Sequence, residues 1–308
     1  MSSGSGAKAI VAALFANLGI AVTKFIAYLL SGSASMLAES VHSLADSANQ
    51  VLLLVGGRRA KREATASHPF GFGRERYVYA FVVSIVLFSV GGVFSIYEGV
   101  HKVQHPEEIT NALVPVVVLV IAICLESFSM RTAIVESNLD RGDRSWVAFV
   151  RHAKAPELPV VLLEDFAALI GLVLAMIGVV TSVITKNPVW DGIGSISIGV
   201  LLVAVALILG METKSLLIGE GVSSVDVGKI RAALTAGETI ERVIHMKTLF
   251  LGPDEVLVAA KIAVAGNVNA AELAAAIDAA EQRVRQAVSV DMVIYLEPDL
   301  FAPDHKSG

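Results

Sequence analysis

His42 and Asp46 place an imidazole and a carboxylate one helical turn apart, inside an otherwise apolar run from Met36 to Val55. Both groups are expensive to bury in hydrocarbon, so they should face protein interior, water or an ion. Their nitrogen and oxygen donors together suit a divalent transition metal. Glu39 and Asn49 extend the pair, and the offsets of 3, 4 and 3 put all four on one stripe of a helix. A second apolar run, Leu158 to Ile184, carries Glu164 and Asp165. The simplest arrangement brings His42 and Asp46 against Asp165 near the midplane, with water, Glu164 or another side chain in a fourth position. A metal held there needs neutral imidazole and ionised carboxylates, so its arrival displaces protons. One site could then carry either cargo.

These residues must be held by elements that cross a bilayer. Mean hydropathy is +0.69; 55% of the 308 residues are hydrophobic and 17% charged, a membrane composition. Six apolar blocks are each about long enough to span: Ile10 to Leu30, Met36 to Gly57, Tyr77 to Val100, Leu113 to Ile134, Leu158 to Ile184 and Ile193 to Met211. The first follows a short polar start and reads as a retained helix, not a cleaved signal. Further polar groups lie within the blocks: Asn17 and Lys24 in the first, Glu126 in the fourth. Interhelical hydrogen bonding is the bland reading for Asn17 and Asn49. Lys24 could be a counter-ion to an acid or could snorkel.

Basic residues orient the spans. Arg58, Arg59, Lys61, Arg62, Arg74 and Arg76 lie between blocks two and three; Arg131, in the last turn of block four, and Arg141, Arg144, Arg151 and Lys154 lie at the passage from four to five. The opposite loops hold Lys102 and Lys186. Eleven against two places the basic loops and both termini in the cytoplasm. The net charge of −5 argues against a nucleic-acid role. Cys124 is the single cysteine, so neither an intrachain disulfide nor a Cys-rich zinc site can form.

Beyond Lys214 the pattern changes. Val225 to Ala236 has helical spacing, Ile240 to Leu251 and Glu255 to Val264 read as strands, Asn269 and Glu272 form a capping box for a helix reaching about Ala287, and Val290 to Leu296 reads as a last strand. The chain therefore divides into a transmembrane domain (1–214), a small αββαβ domain of α+β, ferredoxin-like type (215–300) and a tail (301–308).

Three stretches are more specific than any spacing: Gly32 to Asp46 (GSASMLAESVHSLAD), Ser67 to Gly71 (SHPFG) and Leu162 to Asp165 (LLED). With the six-block layout they make the chain resemble the cation diffusion facilitator family, in its zinc transporter nine-like branch. The resemblance implies six transmembrane helices, a cytoplasmic ferredoxin-like domain, a homodimer in the lipid bilayer, and export of Zn²⁺ from the cytoplasm in exchange for protons. It carries His42, Asp46 and Asp165 over as transport ligands. Val161 stands where most relatives have His or Asp, with Glu164 the obvious substitute although it points about 100° away from Asp165 on the helix. The second histidine of the family's loop pattern is Phe72 here, which leaves His68 a structural role. In the cytoplasmic domain, His245, Glu297, Lys261 and Tyr295 fall near positions that bind metal in some relatives. The setting expected is a bacterial plasma membrane.

Other classes fit less well. Oxygen-rich ligation would equally suit Mn²⁺, Fe²⁺ or Co²⁺. A metal sensor without flux would not need ionisable ligands at bilayer depth. Enzymatic readings lack their motifs: there is neither an HExxH helix nor a GxxxxGK[ST] phosphate loop.

Overall fold

The computed structural model describes residues 3–300, with side chains from Asn17 onward, Asp140 excepted. The expected tail, 301–308, lies outside this range. Contacts divide the chain into two compact units. The first comprises the chain up to Gly57 and from Tyr77 to Lys214; the second comprises Arg58–Arg76 and the chain from Ser215 onward.

The first unit is helical: α1 (Ser3–Ser31), α2 (Ala34–Ala60), α3 (Glu75–Val86), a π-helical segment (Leu87–Val93), α4 (Phe94–Gln104), α5 (Leu113–Arg141), α6 (Trp146–His152), α7 (Glu157–Thr185) and α8 (Val189–Ile218). Four helical runs among the described residues are long and apolar enough to cross a membrane: Glu75–Gln104, Leu113–Leu139, Glu157–Thr185 and Val189–Ile218. Six were expected. At 27 residues and about 1.5 Å per residue, α2 exceeds a hydrocarbon core of about 30 Å. Its polar stripe and terminal Arg58 and Arg59 pull its hydropathy down. In α1 the described apolar stretch is Asn17–Ser31, short of a full span. The short helix α6, between the fourth and fifth blocks, was not anticipated. Ser145 caps it by accepting from the Ala148 N–H, and Phe149 buries fully against Ala133 and Leu162.

Two devices fix the helices around α2. Gly32, in the left-handed region at φ +68°, ends α1, and α2 begins two residues later. The Asp191 carboxylate, in the first turn of α8, accepts from Ser33 Oγ at 2.8 Å, from the Ala34 N–H at 2.6 Å and from the Ser35 N–H at 3.2 Å. It thus satisfies the open donors at the start of α2, where a negative charge is also favoured by the helix dipole. Then α4 and α8 touch backbone to backbone through Gly99 and Gly192. A Cβ at Gly99 would lie 2.6 Å from the Gly192 carbonyl oxygen, and one at Gly192 would lie 2.8 Å from the Gly99 oxygen. Small residues at such crossings let helices approach where lipid supplies no hydrophobic drive. Around these contacts Met36, Leu87, Leu119, Leu172, Ile198 and Leu202 form a buried core.

The second unit contains α9 (Ser224–Leu234), β1 (Ile240–Gly252), β2 (Glu255–Val264), α10 (Ala270–Ala287) and β3 (Asp291–Asp299). The sheet order is β1-β2-β3, with β1–β2 antiparallel and β2–β3 parallel. Burial alternates along β2, so Val256, Val258, Ala260 and Ile262 face a core shared with Ile230, Leu234 and Val284. Three register shifts break the alternation of β1, which explains its weak pattern in the sequence. The capping box at Asn269 and Glu272 forms as expected.

The Gly99 crossing can be tested in detergent. Gly99→Ala should lower the unfolding free energy by about 1–3 kcal/mol, the usual range for overpacking. Gly57→Ala, which meets nothing within 4 Å, should change it little.

Candidate metal centre in the membrane helices

The polar stripe of α2 faces inward: Glu39, His42 and Asn49 are all fully buried. Each looks to a different neighbour. Glu39 Oε2 receives Lys24 Nζ of α1 at 3.0 Å, and the same ammonium donates to Ser43 Oγ at 2.8 Å. Lys24 is therefore a buried counter-ion, one of the two roles its position allowed. The other Glu39 oxygen abuts α7, where a Cβ on Gly171 would come within 2.7 Å of it. Asn49 Nδ2 donates to Glu164 Oε1 of α7 at 2.7 Å.

His42 stands beside the π-helical segment. A Cβ at Gly91 would lie 3.9 Å from its Nδ1. Its Nε2 is 3.5 Å from Asp46 Oδ2, too far for a good hydrogen bond, and neither ring nitrogen has a hydrogen-bond partner among the described residues. Asp46 Oδ1 and Asn49 Oδ1 are likewise buried without partners. Buried polar atoms are normally satisfied, so this concentration on one helix face makes it a candidate for water or an ion as a further partner.

Next to it lies a small cavity, about 30 Å³ open to water-sized molecules. That is room for water or a small ion, and far too little for an organic substrate. Asp46, Glu126, Glu164 and Asp165 line it, together with Asn17, Ile20, Ser43, Gln50, Ser129 and Val161. The neighbours Glu164 and Asp165 both reach this cavity despite their angular separation on α7. Asp165 Oδ2 accepts from Ser129 Oγ of α5 at 2.9 Å.

Three of the four expected site residues, Asp46, Glu164 and Asp165, thus share one wall. His42 does not line it. Among the described residues no group of three His, Cys, Asp or Glu side chains stands in metal-holding geometry. Val161 presents an apolar surface at the position where a further ligand was sought. Sequence reasoning had not singled out Gln50 or Ser129. Gln50 follows Asp46 by four residues and Ser129 follows Glu126 by three, so helical spacing from a known acid could have found both.

The region profile of the family described as "Cation efflux transmembrane domain" matches residues 10–218. The chain belongs to the cation efflux, or cation diffusion facilitator, family. This is a family of transporters, not of enzymes. The chain is 30% identical over 247 residues to the human protein named "Proton-coupled zinc antiporter SLC30A9, mitochondrial", covering 80% of this chain and 44% of that one. It is 32% identical over 248 residues to the protein of the same name from Xenopus laevis, with coverage of 80% and 44%. To "Metal tolerance protein C4" of Arabidopsis thaliana it is 30% identical over 248 residues, covering 80% and 54%. The chain thus spans about half the length of these relatives. The animal relatives are named as mitochondrial, which gives the expected bacterial plasma membrane no support.

The secondary positions raised by the resemblance, His68 and His245, have the following neighbours. The His68 ring packs on Phe72 at 4.6 Å, its Nδ1 lies 3.1 Å from Ser67 Oγ, and Arg62 covers the Phe72 ring. In the sheet, His245 pairs in register with Lys261, and Lys261 with Glu297. Lys261 Nζ lies 2.9 Å from Asp299 and 3.2 Å from Glu297. Those carboxylates, Asp299 first, raise the ammonium above its ordinary value. Their support is present at neutral pH and is lost only as alkali removes the proton.

Lys24→Met should cost about 3–5 kcal/mol of stability in detergent, because it strands the buried Glu39 charge. Adding Glu39→Gln should recover part of the loss. A double mutant no more stable than Lys24→Met would contradict the pairing.

Proposed function

We propose that the chain is a Zn²⁺/H⁺ antiporter that moves metal out of the cytoplasm by alternating access. Asp46, Asp165 and Glu164 are its oxygen ligands, and His42 completes the set when α2 and α7 rearrange. The observation that carries this reading is the gathering of Asp46, Glu126, Glu164 and Asp165 on one ion-sized cavity between helices of a cation efflux domain. Unpartnered His42 and Asp46 atoms beside it supply the donors an incoming ion needs. Carboxylates and an imidazole that bind metal only when deprotonated couple the two cargoes by competition. The printed name of the human and frog relatives, proton-coupled zinc antiporter, points the same way.

In this reading α1 and α2 complete six spans with the four apolar runs. The basic loops and both termini are cytoplasmic. Residues 1–214 form the transport domain and 215–300 a ferredoxin-like cytoplasmic domain, and two copies associate in the bilayer as a homodimer. The αββαβ order and the mixed three-stranded sheet support the domain assignment.

A second reading keeps the mechanism and changes the ion. The cavity wall offers carboxylate and amide oxygens and Val161, and His42 lies outside it. Such a wall favours Mn²⁺, Fe²⁺ or Co²⁺ over a nitrogen-rich zinc tetrahedron.

Metal flux into proteoliposomes tests both. Asp46→Ala and Asp165→Ala should each reduce Zn²⁺ flux at least about tenfold, the low end of what even outer-shell changes do to metal sites. Normal transport by Asp165→Ala would overturn the two-helix site. Normal transport by Glu164→Ala would move the remaining ligand elsewhere. Mn²⁺ or Co²⁺ transported in preference to Zn²⁺ would select the second reading.

A further inference from the structure

We propose that His101 and His105 form a second divalent transition-metal site, on the surface of the helical unit. It lies at the end of α4 and is separate from the α2–α7 cavity. Both residues are exposed. They are four apart on α4, the spacing that brings two imidazoles to one face of a helix and lets them share a zinc ion in HExxH sites. Their ring centroids are 4.9 Å apart. Two nitrogens about 2.0–2.1 Å from one ion stand about 3–4 Å from each other, a separation that rings this close can reach by χ rotation. His105 is the C-cap just past Gln104 and its own backbone has left the helix (φ −126°, ψ 74°), but its N–H still donates to the His101 carbonyl oxygen at 2.8 Å, which keeps it one turn on from His101.

The surroundings favour a cation. The pair occupies the C-terminal turn, where the helix dipole presents its negative end. Glu98 precedes His101 by three residues on the same stripe, and Glu107 and Glu108 follow the helix. The neighbouring cation, Lys102, is buried and turned away, donating to the Gly32 carbonyl oxygen at 2.8 Å. The Tyr97 ring lies roughly parallel to the His101 ring, with centroids 6.5 Å apart. No third His, Cys, Asp or Glu converges on the pair among the described residues. The site is therefore bis-imidazole, completed by water, and suited to imidazole-binding ions such as Zn²⁺, Ni²⁺ or Cu²⁺.

Its location gives it a role. Gly32, which Lys102 reaches, lies in the α1–α2 connection, and Gly192, which Gly99 meets, lies in the first turn of α8; both are at the ends of the helices opposite the basic loops. Resting on the function proposed above, that is the face where exported metal leaves, and the pair would receive or report it there.

The test uses the full chain in detergent, free of any histidine tag, with Cu²⁺ alone as probe. An Asp46→Ala/Asp165→Ala background removes the membrane site first. This background should still bind one Cu²⁺ per chain, with nitrogen coupling from two imidazoles in its electron paramagnetic resonance spectrum. His101→Ala or His105→Ala should then weaken binding at least about tenfold and simplify the coupling, while His152→Ala leaves both unchanged. Cu²⁺ binding that disappears in the Asp46→Ala/Asp165→Ala background, or that persists unaltered after His101→Ala and His105→Ala, would overturn the proposal. Failure of the transport reading would show separately, as undiminished Zn²⁺ flux through the same background.

Discussion

A helix that carries Glu39, His42, Asp46 and Asn49 on one face cannot lie in hydrocarbon unless its neighbours answer those groups. Much of the helical unit is arranged to do so. Lys24 reaches across from α1 to Glu39, Asn49 ties α2 to Glu164 of α7, and Asp191 of α8 closes the open end of α2 at Ser33 to Ser35. The answer is incomplete around His42 and Asp46. Both keep buried atoms unmatched, beside a cavity whose wall is rich in carboxylates. A stripe wholly satisfied within the protein would be interhelical glue. This stripe keeps an unmatched atom on Glu39, Asp46 and Asn49 and both ring nitrogens of His42, which fits a site that exchanges partners.

The scaffold sets how far such a site can move. The close Gly99–Gly192 approach makes α4 and α8 one rigid pair, because neither backbone can slide without meeting a carbonyl of the other. Next to His42 the regular helix gives way to the π-helical turn at Leu87–Val93. Such insertions occur often at functional sites, since they loosen the backbone ladder locally.

Much of this was legible in the residue order. The 3-4-3 spacing on α2 put four polar groups on one face, and the structure finds that face buried. The strands and the Asn269 capping box were readable because period-two alternation and end-capping are local properties. What could not be read depended on contacts distant in sequence. Asp191 looks like an ordinary first-turn acid until α8 meets α2, 156 to 158 residues away in the chain. Lys24 offered two roles, and only its geometry against Glu39 chose between them. The same polar residues that revealed the site also hid α2 from a hydropathy criterion: six spans were expected, and among the described residues four are supported by length and composition. In β1, three register shifts erased the alternation on which a clean strand assignment depends.

The central claim is that the same buried groups carry metal one way and protons the other. It is tested most directly by loading proteoliposomes with Zn²⁺ and a pH-sensitive dye, then diluting them into zinc-free buffer. As Zn²⁺ leaves down its gradient through the wild-type protein, protons should enter and the internal pH should fall in step with the zinc lost. Zinc that leaves at an undiminished rate with no change in internal pH would contradict the account.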